Sequence, residues 1–474
     1  MKRVRIGNGC GFWGDQLDAP VELVKTGRLD YLTLEYLAEL TMSILSLQRQ
    51  RDPQKGFATD FISVLKRLAP YLIDQPNLKI VTNAGGVNPE ACMQVASEQL
   101  RAQKVRDVPI AVVQGDNLFP HLDRLLEKGH RLAHMDNGTD LATIRDRVVS
   151  ANAYLGARPI VEALKTGARI VITGRVADAS LTVAPAAYEF DWDFDNITQL
   201  NRFAGATIAG HLIECGAQST GGLACNWQSV PDLANVGYPI ADIDEQGEFI
   251  LTKPEDSGGL VNRQTVTEQL LYEVFNPAEY FTPDLVADFT SLQLEEVGPN
   301  RVLVQNASAR PATSTYKVSI AYRAGHSCAG MLLISGPQAK QKAEYCAQLI
   351  WKRLERIGLR FDKQYVECIG TGAKAPGVFS ATNSNFSQNL NSAFEGELPE
   401  VMLRIAVSDS RQDAVERFSK EFAPLVTSGP PGVSGYTSGR PPVREVFAYW
   451  PALIDKSVVD PLITVKSLTF SPNS

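Results

Sequence analysis

In the stretch Gly210-His211-Leu212-Ile213-Glu214-Cys215-Gly216-Ala217-Gln218, an imidazole stands three residues before a carboxyl. On a helix that spacing puts both groups on one face, with Gln218 further along the same stripe. Glycine and alanine from Gly205 onward let such a helix approach a neighbour closely, so the stripe can be buried. A buried His211–Glu214 pair suits general acid–base work, although the same residues also fit a satisfied polar seam. A second candidate is Thr173-Gly174-Arg175-Val176-Ala177-Asp178-Ala179-Ser180, directly after the apolar run Ile170-Val171-Ile172. Here Arg175 offers a planar fork to a carboxylate or phosphate, while Asp178 and Ser180 cap a helix, orient Arg175 or touch substrate. The third, Gly7-Asn8-Gly9-Cys10-Gly11 followed by Gly14-Asp15, reads as an anion cradle with Asp15 as a base or hydroxyl ligand. It reads equally as a tight strand–helix turn, and its spacing is not that of the dinucleotide fingerprint. Cys10 is either a thiol activated at a helix start or a small buried side chain.

These loops belong to a series. Apolar segments also run into Thr82-Asn83-Ala84-Gly85-Gly86 and Gln114-Gly115-Asp116-Asn117. In an α/β protein, loops at the carboxyl ends of parallel strands are where ligands bind. Asn83, Gly85, Gly86 and Asp116 are therefore binding candidates beside Gly7, Asn8, Gly9, Gly11, Thr173, Gly174, Arg175, Ser180 and Gln218. The catalytic candidates are His211, Glu214, Asp178 and Asp15. No Ser-His-Asp motif, P-loop or zinc signature fixes a reaction class.

The elements needed to position these residues alternate strand and helix through the first half. Asn88-Pro89-Glu90 marks a helix start, Thr59 caps a helix over 60–73, and Gly167 closes a helix before the strand 169–173. This rhythm predicts a mostly parallel sheet flanked by helices. Beyond about residue 240 the strands cluster, at 248–252, 291–296, 301–305, 315–322, 331–335, 364–369 and 401–407, with helices over 338–357 and 412–422. That pattern predicts a second, α+β domain with an antiparallel sheet. The expected division is 1–240 and 241–474, with long loops at 371–394 and 427–442. Thr265-Val266-Thr267-Glu268 reads as a capping box.

A chain of 474 residues with 44% hydrophobic and 21% charged residues is globular and long enough for two cores. A net charge of −7 argues against a nucleic-acid binder. The seven cysteines include no Cys-x-x-Cys pair, and no metal-spaced histidine pair stands on a clear helix. With neither a signal peptide nor a membrane-length apolar run, the expectation is a cytoplasmic protein without metal, nucleic-acid or membrane partners.

Taken together, several strings resemble the acyclic terpene utilisation (AtuA) family. They are Ile6–Gly9, Tyr36–Met42, Ala58–Phe61, Thr82–Gly86, Ala151–Ala157, Thr173–Ser180, Gly210–Gln218, Leu270–Glu273 and Tyr449–Leu453. The resemblance covers essentially the whole chain. It implies a catabolic role in which intermediates travel as CoA thioesters; from the motifs, no dedicated cofactor is expected. It also implies a small C-terminal domain that here would be absent or supplied by a separate polypeptide; a homo-oligomer is expected. The expectation is an enzyme of lyase, hydratase or isomerase type acting on a small carboxylate or its acyl-CoA thioester. The alternatives are a non-catalytic ligand-binding or assembly subunit and a nucleotide- or sugar-phosphate-binding enzyme.

Overall fold

A computed structural model describes residues 2–106, 108–372, 398–437 and 439–468. The expected loop at 371–394 lies almost wholly outside the described residues. Contacts divide the chain into two compact units, Met1–Tyr322 with Tyr449–Ser474, and Arg323–Ala448.

The first unit begins with strands β1 (Arg3–Asn8), β2 (Tyr31–Leu34), β3 (Lys79–Thr82), β4 (Ile110–Gln114), β5 (Val148–Ala153) and β6 (Ile170–Thr173). Between and after them run α1 (Ala19–Thr26), α2 (Glu39–Arg51), α3 (Asp60–Asp74), α4 (Pro89–Ala102), α5 (Leu122–Glu127), α6 (Arg158–Lys165), α7 (Ser180–Glu189) and α8 (Leu200–Glu214). Five strands form a parallel core in the order β1-β2-β3-β6-β4. Side chains alternate across it as a two-sided sheet demands. Ile170 and Ile172 pack with α1, α3 and α4, whereas Val171 packs with α6, α7 and α8. Because β6 inserts between β3 and β4, the chain changes faces there. That is the topological switch at which crevices open beyond strand ends.

The remainder of this unit explains why the division at 240/241 is not where the compact units part. After α8 come β7 (Ile240–Asp244) and β8 (Phe249–Thr252), then α9 (Arg263–Leu270) and the strands β9 (Tyr280–Phe281), β10 (Leu285–Asp288), β11 (Gln293–Gly298), β12 (Arg301–Gln305) and β13 (Ser308–Pro311). β7, β8, β12 and β11 continue the same sheet antiparallel from β1, and the late strand 464–468 adds antiparallel to β4 at the other edge. Among the described residues this makes a ten-stranded sheet. β9, β10 and β13 form a small antiparallel sheet of their own.

The two strands expected at 315–322 and 331–335 are one, β14 (Thr315–Ser335). Its first residues pair with β5 in the first unit, and Gly325 and Gly330 fit within it without ending it. In the second unit its remainder pairs antiparallel with the strand Glu400–Asp409, which in turn pairs with Lys363–Ile369. The helices Ala339–Arg356 and Gln412–Ser419 supply a separate core with Leu332, Ile334, Leu403 and Phe418. This is the α+β region anticipated from the strand clustering. The expected loop 427–442 contains a strand, Val433–Gly435, paired with β14.

Candidate active site

A cavity of about 530 Å³ opens at the carboxyl ends of the parallel strands, within the first unit. The loops after β1, β2 and β6 line it, together with the end of α8 and the turn beyond. Those loops bring Gly11, Asp15, Arg175, Asp178, Glu214 and Gln218 to its wall. Glu35, Glu39, Tyr238, Tyr272 and Glu273 join them. A second cavity of about 470 Å³ adjoins it, with Glu39, Arg175, Asp178 and Glu273 as common walls. Its other walls are more apolar and include Met135, Phe281 and Leu453.

Arg175 sits between the two cavities and is committed to internal partners. Its guanidinium donates to Asp178 Oδ1 at 2.5 Å and to the Leu37 carbonyl at 3.2 Å, and lies 3.8 Å from Glu35. It also stacks 4.2 Å over the Tyr154 ring. Asp178, Tyr154 and Glu35 hold it cationic against the cost of burial. The loop that carries it is fixed from below by Asp116, which accepts from the Arg175 backbone N–H at 2.9 Å and from Asn152 Nδ2 at 2.7 Å. A Cβ at position 174 would overlap that carboxylate, so glycine is required there.

Glu35 is buried directly after β2. Its Oε1 accepts from the Leu37 N–H at 2.9 Å and from Asn83 Nδ2, while Oε2 has no partner. Burial, then repulsion from Asp178, push its carboxyl up to about 8 in spite of Arg175. Glu214 ends α8 with Oε1 3.3 Å from His211 Nδ1, and its Oε2 is buried and unpartnered. Burial pushes this carboxyl up to about 7. His211 Nε2 faces the Gln269 carbonyl at 3.0 Å. A carbonyl only accepts, so Nε2 carries hydrogen and Nδ1 shares one mobile proton with Glu214. Although burial alone would lower it, the Glu214 hydrogen bond raises the His211 pKa.

His211 does not reach the cavity. It backs Glu214, packed against the rings of Tyr280 and Phe289. The expected helix through Gln218 ends at Glu214, and Gln218 reaches the cavity from the 3₁₀ turn Gly216–Thr220. Asp15 lines the wall but its oxygens accept from Gly11 N–H, Gln16 N–H and the Tyr238 hydroxyl at 2.6–2.8 Å. Asn8 donates to the carbonyls of Cys10, Ile213 and Glu214, which ties the first loop to the end of α8. Gly7, Gly9, Asn83, Gly85, Gly86, Asp116, Thr173, Gly174 and Ser180 do not line the cavity; those whose contacts are given above support it from behind. Cys10 is buried, and desolvation with Asp15 nearby raises its thiol pKa well above the ordinary value, which opposes a nucleophilic role.

Glu35, Glu39, Tyr154, Tyr272 and Glu273 are cavity residues that the sequence patterns above do not single out. The signal was present: Glu35 follows a strand as Arg175 does, and the other four fall inside the strings shared with the family. Among the described residues no three His, Cys, Asp or Glu side chains converge as metal ligands, and no helix is long and apolar enough to cross a membrane.

A parallel sheet whose switch-point crevice is lined by buried carboxyl groups, Glu35 and Glu214, each with one oxygen unpartnered, defines an α/β protein. The chain belongs to the acyclic terpene utilisation family: residues 4–465 match the family described as acyclic terpene utilisation family protein AtuA. No curated protein and no solved structure matches it.

Proposed function

We propose that this protein is a catabolic enzyme of hydratase, lyase or isomerase type that moves protons on the acyl part of a carboxylic acid held as its thioester. The observation that carries this reading is the pair of buried carboxyls, Glu35 and Glu214, in one cavity wall. Each has an oxygen without a partner, and burial pushes each to within about a unit of neutrality, near 8 and 7. Groups poised in this way are suited to give and take protons at physiological pH. With the shared proton on His211 Nδ1, ionised Glu214 takes a proton from substrate carbon onto Oε2 and later returns it to substrate or to solvent. Glu35, neutral at the same pH, gives its proton to a substrate oxygen or carbon. Asp178 and Arg175 set the field between them.

A neutral thioester carbonyl suits this wall better than a free carboxylate. Arg175 already has two acidic side chains within 3.8 Å, and Asp15, Glu39 and Glu273 add negative charge to the lining. The adjoining apolar walls suit a hydrocarbon chain.

The test is incubation with a panel of acyl-CoA thioesters in D₂O, read by mass spectrometry. Expected is deuterium uptake, or gain or loss of water, on at least one thioester, reduced ~10²–10⁴-fold by Glu214→Gln. Thioesters that bind without any such change, or an unaffected Glu214→Gln variant, would overturn the proposal.

A further inference from the structure

Two further cavities continue from the first in a line along α1. The cavity wall at Tyr238 is also the near end of a groove of about 300 Å³ between α1 and the segments 235–238 and 254–257. At its far end Lys25, Thr26, Pro254 and Asp256 are shared with a pocket of about 570 Å³ that also contains Arg5, Arg28 and Arg301. The eight residues of α1 make this run about 12 Å long.

The charges in the far pocket are unbalanced. Arg5 has Asp242 at 3.7 Å and donates to the Gly27 carbonyl at 2.6 Å, and Lys25 has Glu22 at 3.6 Å. Arg28 and Arg301 have no ion pair among the described residues, and the acids in the lining, Glu255 and Asp256, are exposed. Burial, with Arg301 and Arg28 close by, lowers the Arg5 pKa despite the opposing pull of Asp242. A pocket lined by three guanidinium groups and an ammonium against two exposed carboxyl groups has the excess of positive charge that a site for phosphate oxygens needs.

We infer that this pocket binds the phosphate groups of an elongated carrier thioester of the coenzyme A type, whose linker follows the groove along α1 and delivers the acyl group past Tyr238 to Glu35 and Glu214. The inference rests on the thioester reading above and adds where its carrier lies. The groove between is lined by hydrogen-bonding groups, among them Asn235, Ser257 and Gln16, which suit the amides of such a linker.

The experiment is isothermal titration of the full chain with coenzyme A, with pantetheine, which lacks the phosphates, and with inorganic pyrophosphate. Expected is tighter binding of coenzyme A than of pantetheine, falling steeply with ionic strength, and displacement of coenzyme A by pyrophosphate. The Arg28→Gln/Arg301→Gln variant should weaken coenzyme A at least about tenfold and leave pantetheine unchanged. Equal, salt-insensitive binding of coenzyme A and pantetheine by the unaltered protein would overturn the inference without relying on a variant. Pyrophosphate binding in the absence of coenzyme A binding would also overturn it, in favour of a site for a free anion. Failure of the two readings is separable. Arginine-dependent coenzyme A binding without proton exchange on any thioester removes the reaction and keeps the site. Turnover with the same KM for coenzyme A and pantetheine thioesters does the reverse.

Discussion

Glu35 and Glu214 share a cavity wall but have different surroundings, and that difference underlies the opposite roles proposed for them. Glu214 has a proton store in His211 and titrates near 7, whereas Glu35 is held by neutral donors beside Asp178 and titrates near 8. Activity that needs Glu214 ionised and Glu35 protonated should peak between about pH 7 and 8. The pH profile of kcat/KM checks this, and Glu35→Gln should remove its alkaline limb. The same shift links to stability. An unfolded chain ionises Glu35 near 4.5, while the folded chain keeps the proton until about 8. Its contribution is therefore fully present below the unfolded value and lost as pH rises through the folded one. Glu35→Gln abolishes this titration. Relative to the parent, the variant should gain a few kcal/mol, of order 4, between about pH 5 and about pH 9 in urea unfolding. An unchanged difference across that range would show that Glu35 does not hold its proton in the fold. At this scale Arg175, Asp178 and Glu214 were legible because they stand in recognisable strand-end or helical spacings. Glu273 lies in a string shared with the family but in no such spacing, because it follows α9 in the chain and reaches the cavity only through tertiary packing.

The elements that set these residues in place are held at close approaches that tolerate no extra atom. Gly210 of α8 faces Ala179, just before α7, so that a Cβ would lie 2.7 Å from the Ala179 Cα. Gly210→Val must therefore push α8 away from α7 and move Glu214, four residues on. A loss of about 1–3 kcal/mol in denaturant unfolding is expected, with proton exchange on thioesters reduced beyond what partial unfolding explains. Retained stability and activity would mean that the α7–α8 contact does not position Glu214. The βαβ rhythm was readable because Pro89 at a helix start and Gly167 after α6 punctuate it clearly. Side-chain capping was less readable. The box anticipated at Thr265 begins at Asn262, whose Oδ1 accepts from the Thr265 N–H at 2.9 Å. Asp18 stands at the start of α1 but pairs with Arg67 instead of capping. Asn88 directs its amide to the carbonyls of Pro53 and Lys55. Such choices are decided by which partner the fold brings near, and local spacing does not contain that information.

On the scale of the whole molecule, the chain leaves the first unit at Tyr322 and re-enters it at Tyr449. The return strand, Thr464–Leu468, pairs with β4. The strand patterns at 248–252 and 301–305 revealed strands but not partners, since alternation identifies a half-buried strand without identifying the sheet it joins. For that reason the discontinuous first unit was not legible in the sequence. Its cavity, groove and basic pocket are lined entirely by residues of that unit, while the second unit has its own core. Within that core Phe418 is fully buried against Phe361 and Phe422. Truncating such a ring costs about 3–5 kcal/mol through lost transfer energy and the cavity left behind. Two cores of this kind need not unfold together. Phe418→Ala should therefore lower one of two calorimetric transitions and leave the other in place. Coenzyme A affinity at a temperature below both transitions should remain that of the parent. A single transition that shifts as a whole, with affinity lost alongside it, would instead show that the two cores form one cooperative unit and that the ligand site depends on both.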